Sequence, residues 1–274
     1  MRDNFSSSSL EFESPACRTD IAGRLFPCQV RHSAVLDYYG ESQLAERAAT
    51  DFFEFIPLEP SGLITIIGHV SGQTPAAAAL LAPAMLGFLR TRLRGDGGGD
   101  IRRVVRDLNR TLCDTLPDTF YAALFCAAIY PQRREMRYVN AGHEPALLAR
   151  RGVERVHRLE STGTVLGLTP RAGFGQRSIA LEPGDCMAAF TDGVADAADP
   201  AGNSFGAPGV LHALCGHSGA RASAMAAAIL DAVRQFADPA APAGDRTVAV
   251  ARLNPVLRDP LLEAGIDDPA FAVA

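Results

Sequence analysis

Many short strand-like segments, joined by connections of only a few residues, restrict the fold of this chain more than any other feature. Apolar, β-branched and aromatic residues concentrate in these segments, and turn sequences such as EPSG, PQRR and EPGD separate several of them. Connections this short join neighbouring strands that run in opposite directions, so mostly antiparallel pairing is predicted. The predicted strands span 33–39, 52–58, 63–70, 119–130, 135–141, 145–150, 175–181, 185–191 and 247–253.

Two pairs of predicted helices interrupt these strands. The first helix is expected to begin with Thr74 as its N-cap and Pro75 in its first turn, and the second to follow Asp100 with one apolar face. The other pair falls at 207–215 and 221–236, before the last strand. Blocks of strands separated by helix pairs predict an α/β (α+β) fold in four layers, an αββα sandwich of two mostly antiparallel β-sheets flanked by helices.

The patterned region, residues 31–254, is expected to form one domain. A chain of 274 residues, 47% of them hydrophobic, can bury one sizeable core. Residues 1–30 include a serine run and are predicted to form a disordered arm. Residues 255–274 carry prolines among acids and are predicted to be a C-terminal extension without a core of its own.

Composition excludes several classes of function. The formal net charge is −5 and the arginines are scattered, so no nucleic-acid partner is expected. The sequence contains no lysine, which excludes a lysine nucleophile, a Schiff base and a P-loop lysine. No uninterrupted apolar run reaches the ~18 residues of a membrane span, so no membrane partner is expected. Six cysteines without a CxxC pair indicate free thiols in a reducing compartment, and the chain is predicted to be cytoplasmic.

Four short motifs place acids or a histidine at predicted strand ends: ATDFFEF, GHVSGQT, FTDGVAD and AGDRT. Strand ends can bring distant side chains together, and hard divalent cations such as Mg²⁺ and Mn²⁺ prefer several carboxylate oxygens. Each acid taken alone also fits a turn residue that bonds its own backbone. The candidate acids are Asp51, Glu54, Asp192 and Asp245.

The order of these motifs, together with YVNAGHEPALL and LEPGDCMAAFTDGVADAADPAGNSFG, resembles the SpoIIE/RsbU branch of the PPM-type metal-dependent serine/threonine protein phosphatases. The resemblance covers about residues 31–254. It implies the αββα sandwich, a centre of two Mn²⁺ or Mg²⁺ ions, and a metal-bound water that attacks a phosphoserine or phosphothreonine. No side chain is implied as a catalytic group beyond that water.

The sequence departs from the family pattern at two expected metal ligands. Asp51 matches the Asp of the family's first motif, and Asp192 lies in an intact TDG motif. His69 stands where the family has the Asp expected to touch both metals, and Gly244 stands where the last motif has its first Asp, leaving Asp245 beside it. A neutral imidazole offers one lone pair and no charge, so a paired centre is expected to be weakened.

Three interpretations of this degenerate site remain open at this point. The chain hydrolyses phosphoesters with one retained ion, it is a pseudophosphatase that binds a phosphoprotein or regulator, or it is an unrelated structural α/β protein. With one ion, His69 would favour Mn²⁺ or another transition metal over Mg²⁺. The expected metal ligands are Asp51, His69, Asp192 and Asp245, with Glu54 and the backbone carbonyl of Val70 as further candidates.

The resemblance also suggests partners and a role in bacterial signalling. The expected substrate is a phosphorylated protein, with an anti-sigma-factor antagonist as a candidate, and homodimerisation is a further expectation. His143, in NAGHEP, is interpreted as part of a turn that supports the site from outside the metal-ligand set.

Overall fold

A computed structural model describes residues 30–32, 35–45, 50–72, 75–95, 99–150, 156–241 and 244–255 of the chain. Residues 1–29 of the predicted disordered arm (1–30) lie outside the described residues. The same holds for residues 256–274 of the predicted C-terminal extension (255–274) and for Thr74. No described helix is long and apolar enough to cross a membrane.

The first sheet has the strand order β1-β2-β11-β10-β7-β8, and every neighbouring pair is antiparallel. Its central strands β10 and β11 are buried along almost their whole length. The strands are β1 (Val30–His32), β2 (Leu36–Gln43), β7 (Ala146–Ala149), β8 (Val156–Leu159), β10 (Cys186–Phe190) and β11 (Arg246–Leu253).

The second sheet has the order β3-β4-β5-β6-β9, again fully antiparallel. Short turns join β3 to β4 and β5 to β6, as predicted, whereas two helices separate β4 from β5 and two strands of the first sheet separate β6 from β9. The strands are β3 (Asp51–Leu58), β4 (Gly62–Ser71), β5 (Tyr121–Tyr130), β6 (Glu135–Ala141) and β9 (Arg177–Ala180).

The helices cover the outer faces of the two sheets. Asp100 caps its helix as predicted, because its side chain accepts a hydrogen bond from Arg103 N at 2.9 Å. A single turn of helix after β10 was not predicted. The helices are α1 (Pro75–Gly95), α2 (Ile101–Thr115), α3 (Asp192–Ala195), α4 (Gly206–Gly216) and α5 (Ala222–Phe236), and a short 3₁₀ turn spans Pro131–Arg133.

Three apolar clusters confirm the predicted four-layer sandwich. The cluster between the sheets includes Phe53, Phe55 and Phe125. A second lies between β3–β6 and the helices α1 and α2, and a third between the first sheet and the helices α4 and α5. Side chains alternate between faces along each strand, so residues 51, 53 and 55 of β3 face the other sheet while 52, 54 and 56 face α1 and α2. This parity decides which acids can meet between the sheets.

The predicted strands agree with the observed ones within a few residues, with two omissions. The structure adds β1 and β8, whose short sequences lack the apolar alternation that identified the others.

Candidate metal centre

Three of the predicted ligands meet at one edge of the sandwich. Asp51 begins β3 and lies directly opposite His69 of β4, while Asp192 follows β10 of the other sheet. One possible ligand atom from each of the three lies within 4.8 Å of the others. Asp51 is buried, His69 is partly exposed and Asp192 is exposed, so the group opens to solvent on the Asp192 side.

The Asp51 carboxylate is held by three side chains. His69 Nδ1 donates to Asp51 Oδ1 at 2.7 Å, because a carboxylate can only accept. Asp51 Oδ2 accepts from Thr191 Oγ1 at 2.6 Å and from Thr247 Oγ1 at 2.9 Å. Thr191 follows β10 and Thr247 lies in β11, both strands of the first sheet, whereas Asp51 begins β3 of the second sheet. The hydrogen bonds of Asp51 therefore connect the two sheets. Neither threonine was predicted as part of the site, although Thr191 belongs to the FTDGVAD motif and Thr247 to AGDRT.

The charges around His69 favour a cation. Burial acts to lower the pKa of His69, but the hydrogen bond and charge of Asp51, together with the charges of Asp192 and Asp245, raise that pKa overall. Nearby, burial raises the pKa of Glu144, the charge of Asp196 adds to this, and Arg158 opposes it. A site dominated by carboxylates attracts cations and repels a phosphate anion.

The turn after β10 depends on glycine. Asp192 Oδ1 accepts from the backbone N–H of Gly193 at 2.9 Å. A Cβ at Gly193 would overlap with the carbonyl oxygen of Asp245, so the two backbones can approach this closely only without a side chain there. The TDG sequence therefore positions Asp192 and also fixes the 244–245 segment beside it.

Asp245 makes a different contact from the one expected. Its Oδ1 accepts from Ala45 N at 2.8 Å, and its Oδ2 accepts from Thr50 N at 2.8 Å. The structure does not bring it into the group of three, because it anchors the backbone that leads into β3. Ligation of a metal by Asp245 stays a prediction. A Cβ at Gly244 would meet only Gly193 Cα at 3.9 Å, so this position has room for a side chain.

Glu54 corrects the sequence analysis. It lies on the opposite face of β3 from Asp51, where its Oε1 accepts from Arg90 Nε of α1 at 2.6 Å. The alternation of side chains along a strand separates positions 51 and 54, so Glu54 is directed away from the metal group. For Val70, the backbone N–H donates to Thr50 O at 3.0 Å, and ligation through its carbonyl stays a prediction.

His143 lies in the predicted supporting turn, outside the group of three. Its backbone N–H donates to Asn140 Oδ1 at 2.8 Å, and its Nδ1 donates to the carbonyl oxygen of Glu144 at 3.0 Å. Burial lowers its pKa to about 4, while the charges of Asp192 and His69 also act on it. His143 is therefore a neutral residue near enough to Asp192 and His69 for their charges to act on it.

The donor set fits one divalent ion. An imidazole and two carboxylates are ligands that Mn²⁺ and related transition metals accept. Two ions would need more carboxylates, and the described residues supply neither a bridging acid at His69 nor any side chain at Gly244. The residues therefore match a single-ion centre and do not match the paired centre implied by the family.

The fold of this chain is shared by solved PP2C-type phosphatase domains. The SiaA-PP2C domain of Pseudomonas aeruginosa superposes with a TM-score of 0.69 at 15% identity, covering 79% of this chain and 86% of that one. The RsbU and RsbW domains of Rv1364c from Mycobacterium tuberculosis superpose with a TM-score of 0.67 at 20% identity, covering 80% of this chain and 60% of that one. At identities this low, the superpositions establish the shared fold alone.

Sequence comparison identifies the family. Residues 59–254 match the Stage II sporulation protein E (SpoIIE) family, and the chain belongs to it. Protein IcfG of Synechocystis sp. is 28% identical over 221 residues, 70% of this chain and 33% of IcfG. Phosphoserine phosphatase RsbU of Bacillus subtilis is 26% identical over 172 residues, 63% of this chain and 50% of RsbU. The chain thus spans about a third and a half of the lengths of these two relatives.

Proposed function

We propose that this chain is a metal-dependent serine/threonine protein phosphatase of the SpoIIE/RsbU type that works with a single divalent ion, Mn²⁺ or Mg²⁺ with Mn²⁺ preferred. The observation that carries the proposal is the meeting of Asp51, His69 and Asp192 at one edge of a SpoIIE-family sandwich. An imidazole in the donor set favours Mn²⁺ over Mg²⁺.

The side chains of this chain would bind the ion and orient it. Asp192 offers an exposed carboxylate on a turn that Gly193 holds against the last strand, and His69 offers an imidazole fixed by Asp51. When bound, the ion supplies positive charge that a phosphate needs in this acidic site and lowers the pKa of a coordinated water. Carboxylates dominate the surroundings, so without a cation they would oppose the approach of a phosphate dianion.

The proposed substrate is a phosphoserine or phosphothreonine on a protein partner in the cytoplasm. RsbU is named a phosphoserine phosphatase, and this supports the same chemistry for the present chain. An anti-sigma-factor antagonist is the proposed class of partner, in keeping with the signalling role of this branch, and a homodimer is the proposed assembly.

Phosphate release from a phosphoserine peptide tests the proposal. We expect release with Mn²⁺ and none with a chelator. Asp192→Asn should reduce the rate by more than the roughly 10–100-fold that outer-shell residues of a metal site typically cost. Asp114→Asn is the control, because it removes an exposed acid of α2, outside the group of three.

Two results would count against a phosphatase. One is the absence of Mn²⁺-dependent release at any metal concentration, and the other is equal activity of the Asp192→Asn variant and the wild type. Binding of the phosphopeptide without release of phosphate would support the pseudophosphatase alternative.

A further inference from the structure

The hydrogen bonds of Asp51 leave little of its carboxylate for an ion. The residue is 1% exposed, and three donors lie at 2.6–2.9 Å from its two oxygens. The two hydroxyls are themselves fixed: Thr191 Oγ1 accepts from Thr247 N at 3.1 Å, and Thr247 Oγ1 bonds Ser42 Oγ at 2.8 Å. Since a carboxylate only accepts, the Thr191 hydroxyl donates its hydrogen to Asp51 while its oxygen accepts the Thr247 N–H. The protein itself therefore occupies three of the roughly four acceptor positions of this carboxylate, and both positions on Oδ2.

The same bonds determine how the His69 ring is presented. His69 Nδ1 carries the hydrogen that bonds Asp51, so the lone pair of the neutral ring is on Nε2. No hydrogen bond holds Nε2 among the described residues, and a quarter of the side chain is exposed. The strand register fixes the backbone, because Asp51 and His69 are direct partners of the β3–β4 pair. Ring orientation and tautomer are thus both set by Asp51.

Metal sites in proteins commonly use this arrangement, in which a ligating histidine donates its other ring N–H to a carboxylate outside the ligand set. We propose that Asp51 is a positioning residue in this chain, and that the ion is held by His69 through Nε2 together with Asp192. This inference rests on the proposed single-ion site and deepens it. Replacement of the family's second-motif acid by His69 has moved the Asp51 carboxylate from direct ligation to support of the imidazole.

The alternative is that the ion binds Asp51 directly. It would then have to share Oδ1 with His69 Nδ1 in a side chain that is 1% exposed, or displace a buried threonine hydroxyl from Oδ2 and leave that donor without a partner. Ligation through Nε2 requires no such loss, because Asp51 keeps all three of its hydrogen bonds.

The test is a side-chain ¹H–¹⁵N spectrum of the full chain labelled at its six histidines, with Zn²⁺ alone as a diamagnetic probe. The His69 signals are identified by their loss in His69→Gln. Before zinc, at a pH above the raised pKa of His69, we expect the hydrogen on Nδ1 and an unprotonated Nε2. On adding Zn²⁺, the Nε2 resonance should shift while the Nδ1 hydrogen is retained.

Two variants separate positioning from ligation. Asp51→Asn keeps an oxygen acceptor for His69 and should weaken Zn²⁺ binding by roughly 10–100-fold while the shift still occurs at Nε2. Asp192→Asn should abolish the His69 shift at the zinc concentrations that saturate wild type. Asp114→Asn, an exposed acid of α2 outside the site, should bind as wild type does.

Three outcomes would overturn the inference: loss of the Nδ1 hydrogen on zinc binding, loss of binding in Asp51→Asn as complete as in Asp192→Asn, or no His69 shift in wild type at millimolar zinc. The wild-type spectrum decides between ring nitrogens even where a variant does not fold. The readout requires no turnover, so a chain that binds zinc through Nε2 yet releases no phosphate would refute only the proposed function.

Discussion

Replacement of Asp245 by alanine separates an anchoring role from a metal-binding role. In the structure this carboxylate accepts two backbone N–H groups, Ala45 N and Thr50 N, each at 2.8 Å, and it is 9% exposed. The bonds join the start of β11 to the segment that leads into β3, nearly 200 residues apart in the chain. Alanine removes both acceptors and leaves the two N–H groups to find water.

The expected cost follows from these two bonds. A hydrogen bond to a charged group contributes about 1.5–3 kcal/mol. Both donors are at partly buried residues that water can reach after some local opening, so we take the lower value for each and expect a loss of about 3 kcal/mol. For a domain of this size, each kcal/mol lowers Tm by about 2–4 °C, which gives a decrease of roughly 6–12 °C.

Thermal unfolding followed by circular dichroism measures this loss, and calorimetric titration with Mn²⁺ measures the site in the same preparation. Asp238→Ala is the control, because it removes one exposed bond, to Ala240 N, that spans two residues only. We expect Asp245→Ala to melt far below this control and still bind Mn²⁺. If it melts with the control but no longer binds Mn²⁺, Asp245 is a ligand and the anchoring explanation is wrong.

Further experiments test the tight turn at Gly193, the buried His143 and the buried cysteines. Gly193→Ala should destabilise the chain by about 1–3 kcal/mol in urea unfolding, because its Cβ would overlap a backbone carbonyl; wild-type stability would contradict the close approach. Burial lowers the pKa of His143 to about 4 from its ordinary 6.5, so the unfolded chain takes up that proton first as pH falls. Stability present above pH 6.5 should fall by about 3 kcal/mol on acidification to pH 4, and His143→Gln should remove this part of the slope. Burial raises the pKa of Cys126 and Cys186 to about 12, so iodoacetamide should spare both in the folded chain and label exposed Cys215; rapid labelling of the buried pair would contradict their burial.

The layered fold could be predicted from the sequence because its strands are apolar, distinct and joined by short turns. Strand β8 was missed because two of its four side chains, His157 and Arg158, are exposed, and the segment has no apolar alternation to detect. Strand β1 is only three residues long, too short for a periodic signal. Local pattern therefore identified the central strands and missed two short edge strands.

The candidate site could be predicted only in part. Asp51, His69 and Asp192 were found because they lie in motifs with a family pattern. Glu54 was assigned to the same site, although strand parity alone places it on the other face from Asp51. The hydrogen bonds that Thr191 and Thr247 donate to Asp51 could not be predicted, because they depend on how the two sheets stack.

The number of Mn²⁺ ions bound at saturation tests the central claim most directly. Titration calorimetry of the wild-type chain should give one ion, because the described donors fit one. The double variant His69→Asp with Gly244→Asp restores the two missing acids, and a side chain at position 244 meets only Gly193 Cα at 3.9 Å, so it should bind two. Two ions in the wild type, or none at millimolar Mn²⁺, would contradict a single-ion centre built on His69 and Asp192.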